Sequence, residues 1–246
     1  MPVDGVSLVD RYALPPAEIE ATSLRHVAAA LNDLQEWADD ERPLVQRMVY
    51  ASGDLTLAPN IRVHPRAVAD GVAALRDGCP VVVDGHMVSV ALDRVRLTTL
   101  GSSLHCALDL VRSATPAASL GNHSVAVDHE GSNPDRQDLS RAVVGMRAAA
   151  PLVRGGVVVI GTAPTALLAL LDLVDAGEVK PALIIGTPVG FTAAEESKAE
   201  LMARGVPYIT VEGTRGGAAL AAAAANALLR LATGLTPDVP GVLANG

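Results

Sequence analysis

A chain of 246 residues, half of them apolar, has the length for one α/β domain and enough hydrophobic side chains for a large core. With one Trp, one Phe and three Tyr that core must be aliphatic, and a formal charge of −8 without stacking platforms argues against nucleic-acid binding. The amino terminus, MPVDGVSLVDRY, has neither a basic n-region nor an apolar h-region, and no apolar stretch is long enough to span a bilayer. A cytoplasmic protein with no membrane partner is expected. Cys79 and Cys106 form no CxxC pair and lie in or beside apolar runs, as buried free thiols do.

Residues 1–14 form a leading arm. Pro15-Pro16 opens a helix with Ile19, Val27, Leu31 and Leu34 on one face, since proline is tolerated in a first helical turn. A second helix starts at Pro43 and runs through LVQRMVYAS to Gly53, a suitable C-cap. HPRAVADGVAALRDG is a third, with Pro65 at its start, Val68, Val72 and Leu75 on one face and Gly78 as its stop. CPVVVD is the first central strand, ending in Asp84, and SSLHCAL (102–108) is the second. Residues 113–138 lack periodicity and are dominated by Ser, Ala, Gly, Asn, Pro and Asp, which predicts a long polar surface loop or insertion.

A helix around 139–150 leads into three segments of one grammar: VVVIGTAPTALLAL, ALIIGTPVGFTAAEESK and YITVEGTRGGAALAAAAANALL. Each is a β-branched run, a hinge glycine (Gly161, Gly186, Gly213), a small-residue turn and a helix-forming stretch. Apolar runs without alternation mark strands buried on both faces of a parallel sheet, and ligands of such sheets sit outside the strands' carboxyl ends. Beyond Ala232 the chain turns Pro/Gly-rich, so 233–246 is expected to be a flexible tail. The sum is a single α/β domain over 1–246, a three-layer α/β/α fold with a mainly parallel sheet of about five strands.

None of the six histidines pairs at metal-ligand spacing with a second His or Cys, so no metal ligands are expected. His26, His105 and His129 fall on a helix surface, a strand and a loop. His86, after Asp84 at a strand's carboxyl end, is the most site-like, with a surface role as the alternative. GxSxG, Walker and strand-GxGxxG motifs are missing, while GTRGGAA (213–219) offers helix-start amides to an anion. Arg47, Arg62, Arg94, Arg96, Arg141, Lys198 and Arg215 lie at helix ends or strand exits, either as solvated charges or as anion contacts.

The wording of these segments is more specific than their grammar. GTAPTALLALLDLVDAG, PALIIGTPVGFTAAEESKAEL and RGVPYITVEGTRGGAALAAAAANALL resemble the precorrin-8X (cobalt-precorrin-8) methylmutase family of corrin biosynthesis. PAEIEATSLRHV with Ser23, RMVYASGD, AVADGVAALRDGCPVVVDGHMV and SRAVVGMRAAAPLVRGGVVVIG with Arg141 are similar to further family segments in the same order. The resemblance therefore covers most of residues 15–230. It implies an isomerase of cobalamin biosynthesis that moves a methyl group from C11 to C12 of a contracted tetrapyrrole by a 1,5-sigmatropic shift, with no cofactor. It also implies a homodimer that binds a tetrapyrrole polycarboxylate. Two features depart from the family: its active-site His is Tyr50 here, and the polar stretch 113–138 is longer than usual.

Such a rearrangement needs the substrate held in its reactive tautomer, which positioning and a proton donor near a ring nitrogen favour. A phenol stays protonated at neutral pH, so Tyr50 is the expected catalytic donor. The resemblance and the turn chemistry together point to substrate contacts at Ser23, Arg47, Gly53, Asp84, Met87 and Arg141. They add Thr162, Ala163, Pro164 and Thr165 of the first turn, Pro188, Val189, Gly190, Phe191 and Lys198 of the second segment, and Arg215, Gly216 and Gly217 of the third. Pro164, Val189 and Phe191 would face the macrocycle, and Arg141, Lys198 and Arg215 its carboxylate rim. A tetrapyrrole-binding carrier that lost catalysis with its His is the alternative, and a related isomerase on a different substrate is a third reading. The Ala-rich, charge-poor helix 218–229 is the expected seam of a symmetric dimer.

Overall fold

The computed structural model describes residues 7–13, 15–32, 37–114 and 139–234. The leading arm carries α1 (Leu8–Tyr12); α2 (Pro16–Asn32), α3 (Arg42–Ser52) and a 3-10 helix (Leu55–Asn60) lead into β1 (Ile61–Val63). Then come α4 (Ala67–Arg76), β2 (Val81–Val83), α5 (His86–Ala91), α6 (Arg94–Thr99), β3 (Leu104–Cys106) and α7 (Ala107–Ala114). The second half runs α8 (Arg141–Ala148), α9 (Ala150–Val153), β4 (Val157–Ile160), α10 (Pro164–Asp175), β5 (Leu183–Gly186), α11 (Ala194–Met202), β6 (Tyr208–Val211) and α12 (Ala218–Ala232).

The sheet order is β1-β6-β5-β4-β2-β3. The five strands expected from the apolar runs pair in parallel, and β1 adds an antiparallel edge, with Ile61 opposite Val211 and Val63 opposite Ile209. Every residue of β2, β4 and β5 is buried, which is why these strands show no polar alternation. Period-2 geometry sorts their side chains into two cores. Val81, Val83, Val157, Val159, Leu183 and Ile185 pack toward α3, α4 and α12, whereas Val82, Val158, Ile160 and Ile184 pack toward α8, α10 and α11.

Some boundaries differ from expectation. The second strand is confined to 104–106, because α7 begins at Ala107 and extends through residues 113 and 114. Leu34, His129, the rest of the polar stretch (115–138) and the tail from 235 lie outside the described residues, while Gly234 ends α12 in a left-handed turn. The Ala-rich helix, the expected seam, is largely occupied by its own chain. Most of α12 is buried within its own chain, against α3, α4, α5 and the sheet, and a Cβ on Gly161 would come within 2.8 Å of the Ala218 Cα. Small side chains here permit close packing inside the domain. Among the described residues, no helix is long and apolar enough to cross a membrane.

Candidate active site

The turns after the parallel strands are fastened by different means. Asp84, 1% exposed, closes the first one. Its carboxylate accepts from the Gly161 amide at 3.2 Å, the Thr162 amide at 2.8 Å, the Thr162 hydroxyl at 2.5 Å and the Ala163 amide at 2.8 Å. Its oxygens thus face its own protein and hold the start of α10 rather than a ligand. The second and third turns hold each other. The Gly190 amide donates to the Thr214 carbonyl at 3.1 Å and the Gly217 amide to the Thr187 carbonyl at 2.7 Å. A Cβ on Gly216 would lie 2.3 Å from the Thr187 oxygen, so only glycine lets these two turns meet.

Lys198 stands beneath this junction. It is fully buried and its Nζ donates to the Arg215 carbonyl at 2.6 Å. Burial pulls the ammonium down from 10.5 to about 8, with Glu195 acting weakly the other way. Because the folded value lies below the unfolded one, the unfolded chain holds more protons between about 8 and 10.5, and stability gains from this group as pH rises through that window. The expected result is that Lys198→Met flattens this part of the pH profile, read from denaturation midpoints at about pH 7.5 and about pH 10. An unchanged profile would contradict the assignment.

Arg215 then carries the third turn across to the amino-terminal helices. Its guanidinium reaches the Asp54 carboxylate at 2.5 Å, the Thr56 hydroxyl at 3.1 Å and the Thr56 carbonyl at 2.9 Å. The Thr56 hydroxyl and amide, and after them the Arg215 guanidinium, hold the Asp54 carboxyl below the usual carboxylate range.

Two clefts share Asp54 as a wall. One, of about 560 Å³, lies between α2 and α3 and is lined by Thr22, Ser23, His26 and Val27 on one side and Val49, Tyr50, Gly53, Asp54 and Leu55 on the other. The second, of about 290 Å³, is lined by Ala51, Ser52, Asp54, Leu57, Val189, Arg215, Gly216, Ala219 and Leu220. Tyr50, 37% exposed, stands on the first cleft one turn before Gly53, the left-handed C-cap of α3. The Ser23 hydroxyl donates to the Ile19 carbonyl at 2.8 Å and so faces its own helix as well as the cleft.

The structure therefore gathers Tyr50, Ser23, Gly53, Val189, Arg215 and Gly216 around the two clefts. Other expected contacts lie elsewhere. Arg47 donates to Glu20 at the α2–α3 joint and is only 12% exposed. Met87 stands exposed on α5, and Phe191 is 96% exposed on the second turn beside buried Pro188. Thr162, Ala163, Pro164 and Thr165 line neither cleft; the Thr165 hydroxyl meets Ser140, the N-cap of α8, at 3.1 Å. Arg141 is exposed at the first residue of α8 and has no ion-pair partner among the described residues. Arg62, Arg94 and Arg96 are engaged with Glu212, Ser89 and Asp93.

Two polar cleft residues, His26 and Asp54, were not among the expected substrate contacts. His26 lies three residues after Ser23 and so on the same helix face, a spacing that could have revealed it. Asp54 and Thr56 form a local D-x-T turn, in which the Thr56 amide donates to Asp54 at 2.8 Å.

The family model described as CbiC, precorrin-8X methylmutase, matches residues 18–231. A cobalt-precorrin-8 methylmutase of Priestia megaterium is 36% identical over 220 residues, covering 88% of each chain. A precorrin-8X methylmutase of Pseudomonas aeruginosa is 41% identical over 191 residues, covering 77% of this chain and 83% of the relative. Among solved structures, the precorrin-8X methylmutase of Thermus thermophilus is similar at a TM-score of 0.73 and 31% identity, over 88% of this chain and 98% of that one.

Proposed function

The chain belongs to the precorrin-8X methylmutase family, isomerases of cobalamin biosynthesis, and we propose that it moves a methyl group from C11 to C12 of precorrin-8X or its cobalt form. The migration is intramolecular, a 1,5-sigmatropic shift that needs no cofactor. What the protein must supply is a slot that fixes the macrocycle and a donor that favours the reactive tautomer.

The observation that carries this reading is the position of Tyr50. Its phenol stands on the larger cleft across from Ser23 and His26, and its own wall continues through Asp54 to Arg215 and the glycine turn. In this reading Tyr50 is the catalytic donor, Ser23, Gly53, Val189, Arg215 and Gly216 contact substrate, and Asp84, Lys198 and Arg47 hold the walls in place. Arg141 lines neither cleft, but it is exposed and without an ion-pair partner among the described residues, so it is a cation available to a substrate carboxylate that extends beyond them. Helix-start amides at the third turn would take another.

One observation favours a second donor. His26 lines the same cleft as Tyr50, and an imidazolium can serve as a general acid. If His26 is the acid, activity falls as pH rises and imidazolium is lost; with Tyr50 as donor, activity holds through neutral pH. Incubating the purified protein with excess precorrin-8 substrate and following the visible spectrum of the rearranged corrin tests the reading. A carrier would give a bound spectrum at one equivalent and no conversion of the excess.

Val189, which lines the smaller cleft, is 49% exposed, and Phe191, two residues further along the same turn, is 96% exposed. Exposed apolar side chains beside a ligand site are suited to a partner surface, and an isologous pairing of two copies is the common solution. The proposed active form is thus a symmetric homodimer in the cytoplasm, each chain one domain built on the single six-stranded sheet. Sedimentation at micromolar concentration should show a dimer, and Phe191→Asp should shift it toward monomer. A parent protein that sediments as a monomer with full product affinity contradicts this.

A further inference from the structure

Away from the two clefts, the carboxyl ends of β2 and β3 bring together three side chains that the methyl shift leaves unused. His86 is the first residue of α5, Cys106 closes β3, and Asp109 lies in the first turn of α7. The two strands run parallel with Val83 opposite Cys106, so both exits open on one rim of the sheet. There an imidazole nitrogen, a thiol sulfur and a carboxylate oxygen all lie within 4.8 Å of one another. We propose that His86, Cys106 and Asp109 form a divalent metal site of the zinc class, separate from the tetrapyrrole clefts.

The donor set selects the class of ion. Zinc accepts thiolate, imidazole and carboxylate together, whereas magnesium and calcium take oxygen donors only. Three protein ligands leave one tetrahedral position for water or an external ligand. With metal–sulfur at about 2.3 Å and metal–nitrogen or metal–oxygen at about 2.0–2.2 Å, tetrahedral donors stand roughly 3.3–3.6 Å apart. These three side chains already fall inside the range from which that geometry is reached. The His86 Nε2 and Asp109 Oδ1 atoms are 2.8 Å apart in a hydrogen bond, so the metal takes the place of the shared proton and the pair opens slightly. Both side chains are well exposed, at 61% and 65%, and have room to adjust, while buried Cys106 is the fixed corner.

Charge favours the same outcome. A bound dication holds the Cys106 thiol as thiolate. Binding to neutral His86 releases one proton, from Cys106; the imidazole keeps its own by moving it from Nε2 to Nδ1. Two positive charges then balance one thiolate and one carboxylate, and the site is neutral. A His86–Asp109 ion pair alone accounts for the surface contact but not for a thiol sulfur at the same point.

The test uses untagged, chelator-treated protein titrated with Co2+ and then with Zn2+, with no substrate present. The expected result is one equivalent of Co2+ giving a thiolate-to-cobalt charge-transfer band in the near ultraviolet and tetrahedral bands in the visible, both erased by Zn2+. Cys79→Ser, at the amino end of β2, should leave the spectrum unchanged, and Cys106→Ser should lose the charge-transfer band. His86→Ala and Asp109→Asn change exposed residues and keep the fold, so they decide the matter even if Cys106→Ser does not fold. Each should weaken Co2+ binding by about 100-fold or more, beyond the roughly 10–100-fold typical of outer-shell partners. No charge-transfer band in the parent, a band that survives Cys106→Ser, or parent-like affinity in both surface variants would overturn the site. Because the assay reads metal binding alone, its failure leaves the methyl-shift reading untouched.

Discussion

Tyr50→Phe should lower turnover by about 10²–10⁴-fold while leaving product affinity close to that of the parent, the range expected when one proton donor is removed. The ring that lines the cleft is kept and only the hydroxyl goes, so the effect falls on kcat rather than on binding. Tyr50→His supplies the residue type that the family resemblance implies at this place. It should retain activity near neutral pH and add a new limb on which rate falls as pH rises, because an imidazole acid must be protonated to donate. Steady-state rates of both variants between about pH 6 and about pH 9 check this, a range that brackets an imidazole. If Tyr50→Phe turns over like the parent, the donor is not Tyr50, and His26, on the opposite wall of the cleft, takes its place.

Asp84→Ala should be the most destabilising single change near the site, by about 3–5 kcal/mol. The carboxylate is 1% exposed and receives three backbone amides and one hydroxyl, and alanine leaves all of them facing apolar surroundings. Asp84→Asn keeps an acceptor but turns an NH2 toward part of the donor set, so it should cost about 1–3 kcal/mol. Urea denaturation with unchanged slope measures both. A change below about 0.5 kcal/mol for Asp84→Ala, the range of ordinary surface substitutions, would contradict the clasp described here.

These two residues also show what the chain discloses before folding. Strands β2, β4 and β5 are legible because each is buried on both faces and so carries an unbroken apolar run, while β3 and β6 carry His105 and Thr210 within theirs. Strand β1 is not legible, since three residues with Arg62 at their centre become a strand only when β6 is beside them. Gly53 is legible as a cap from local chemistry alone, and its neighbour Tyr50 from its place in the RMVYASGD segment. Asp84 stands out at a strand end, but which way its oxygens turn depends on amides 77 to 79 residues away. Arg215 shows the same limit: its cationic character is plain, while its pairing with Asp54 spans 161 residues. Lys198 looks like a substrate cation until burial and the Arg215 carbonyl reveal it as a support. In α12 the run of alanines announces close packing without saying against what, and the partner proved to be the chain's own α3, α4 and α5.

The central claim is that this chain moves a methyl group rather than only holding a tetrapyrrole. The direct measurement is carbon NMR of the product formed from precorrin-8 substrate labelled at the C11 methyl, supplied in large excess over purified protein. The account predicts that the label appears at C12 in the full excess of product. Label that remains at C11, with binding saturating at one equivalent per site, would contradict it.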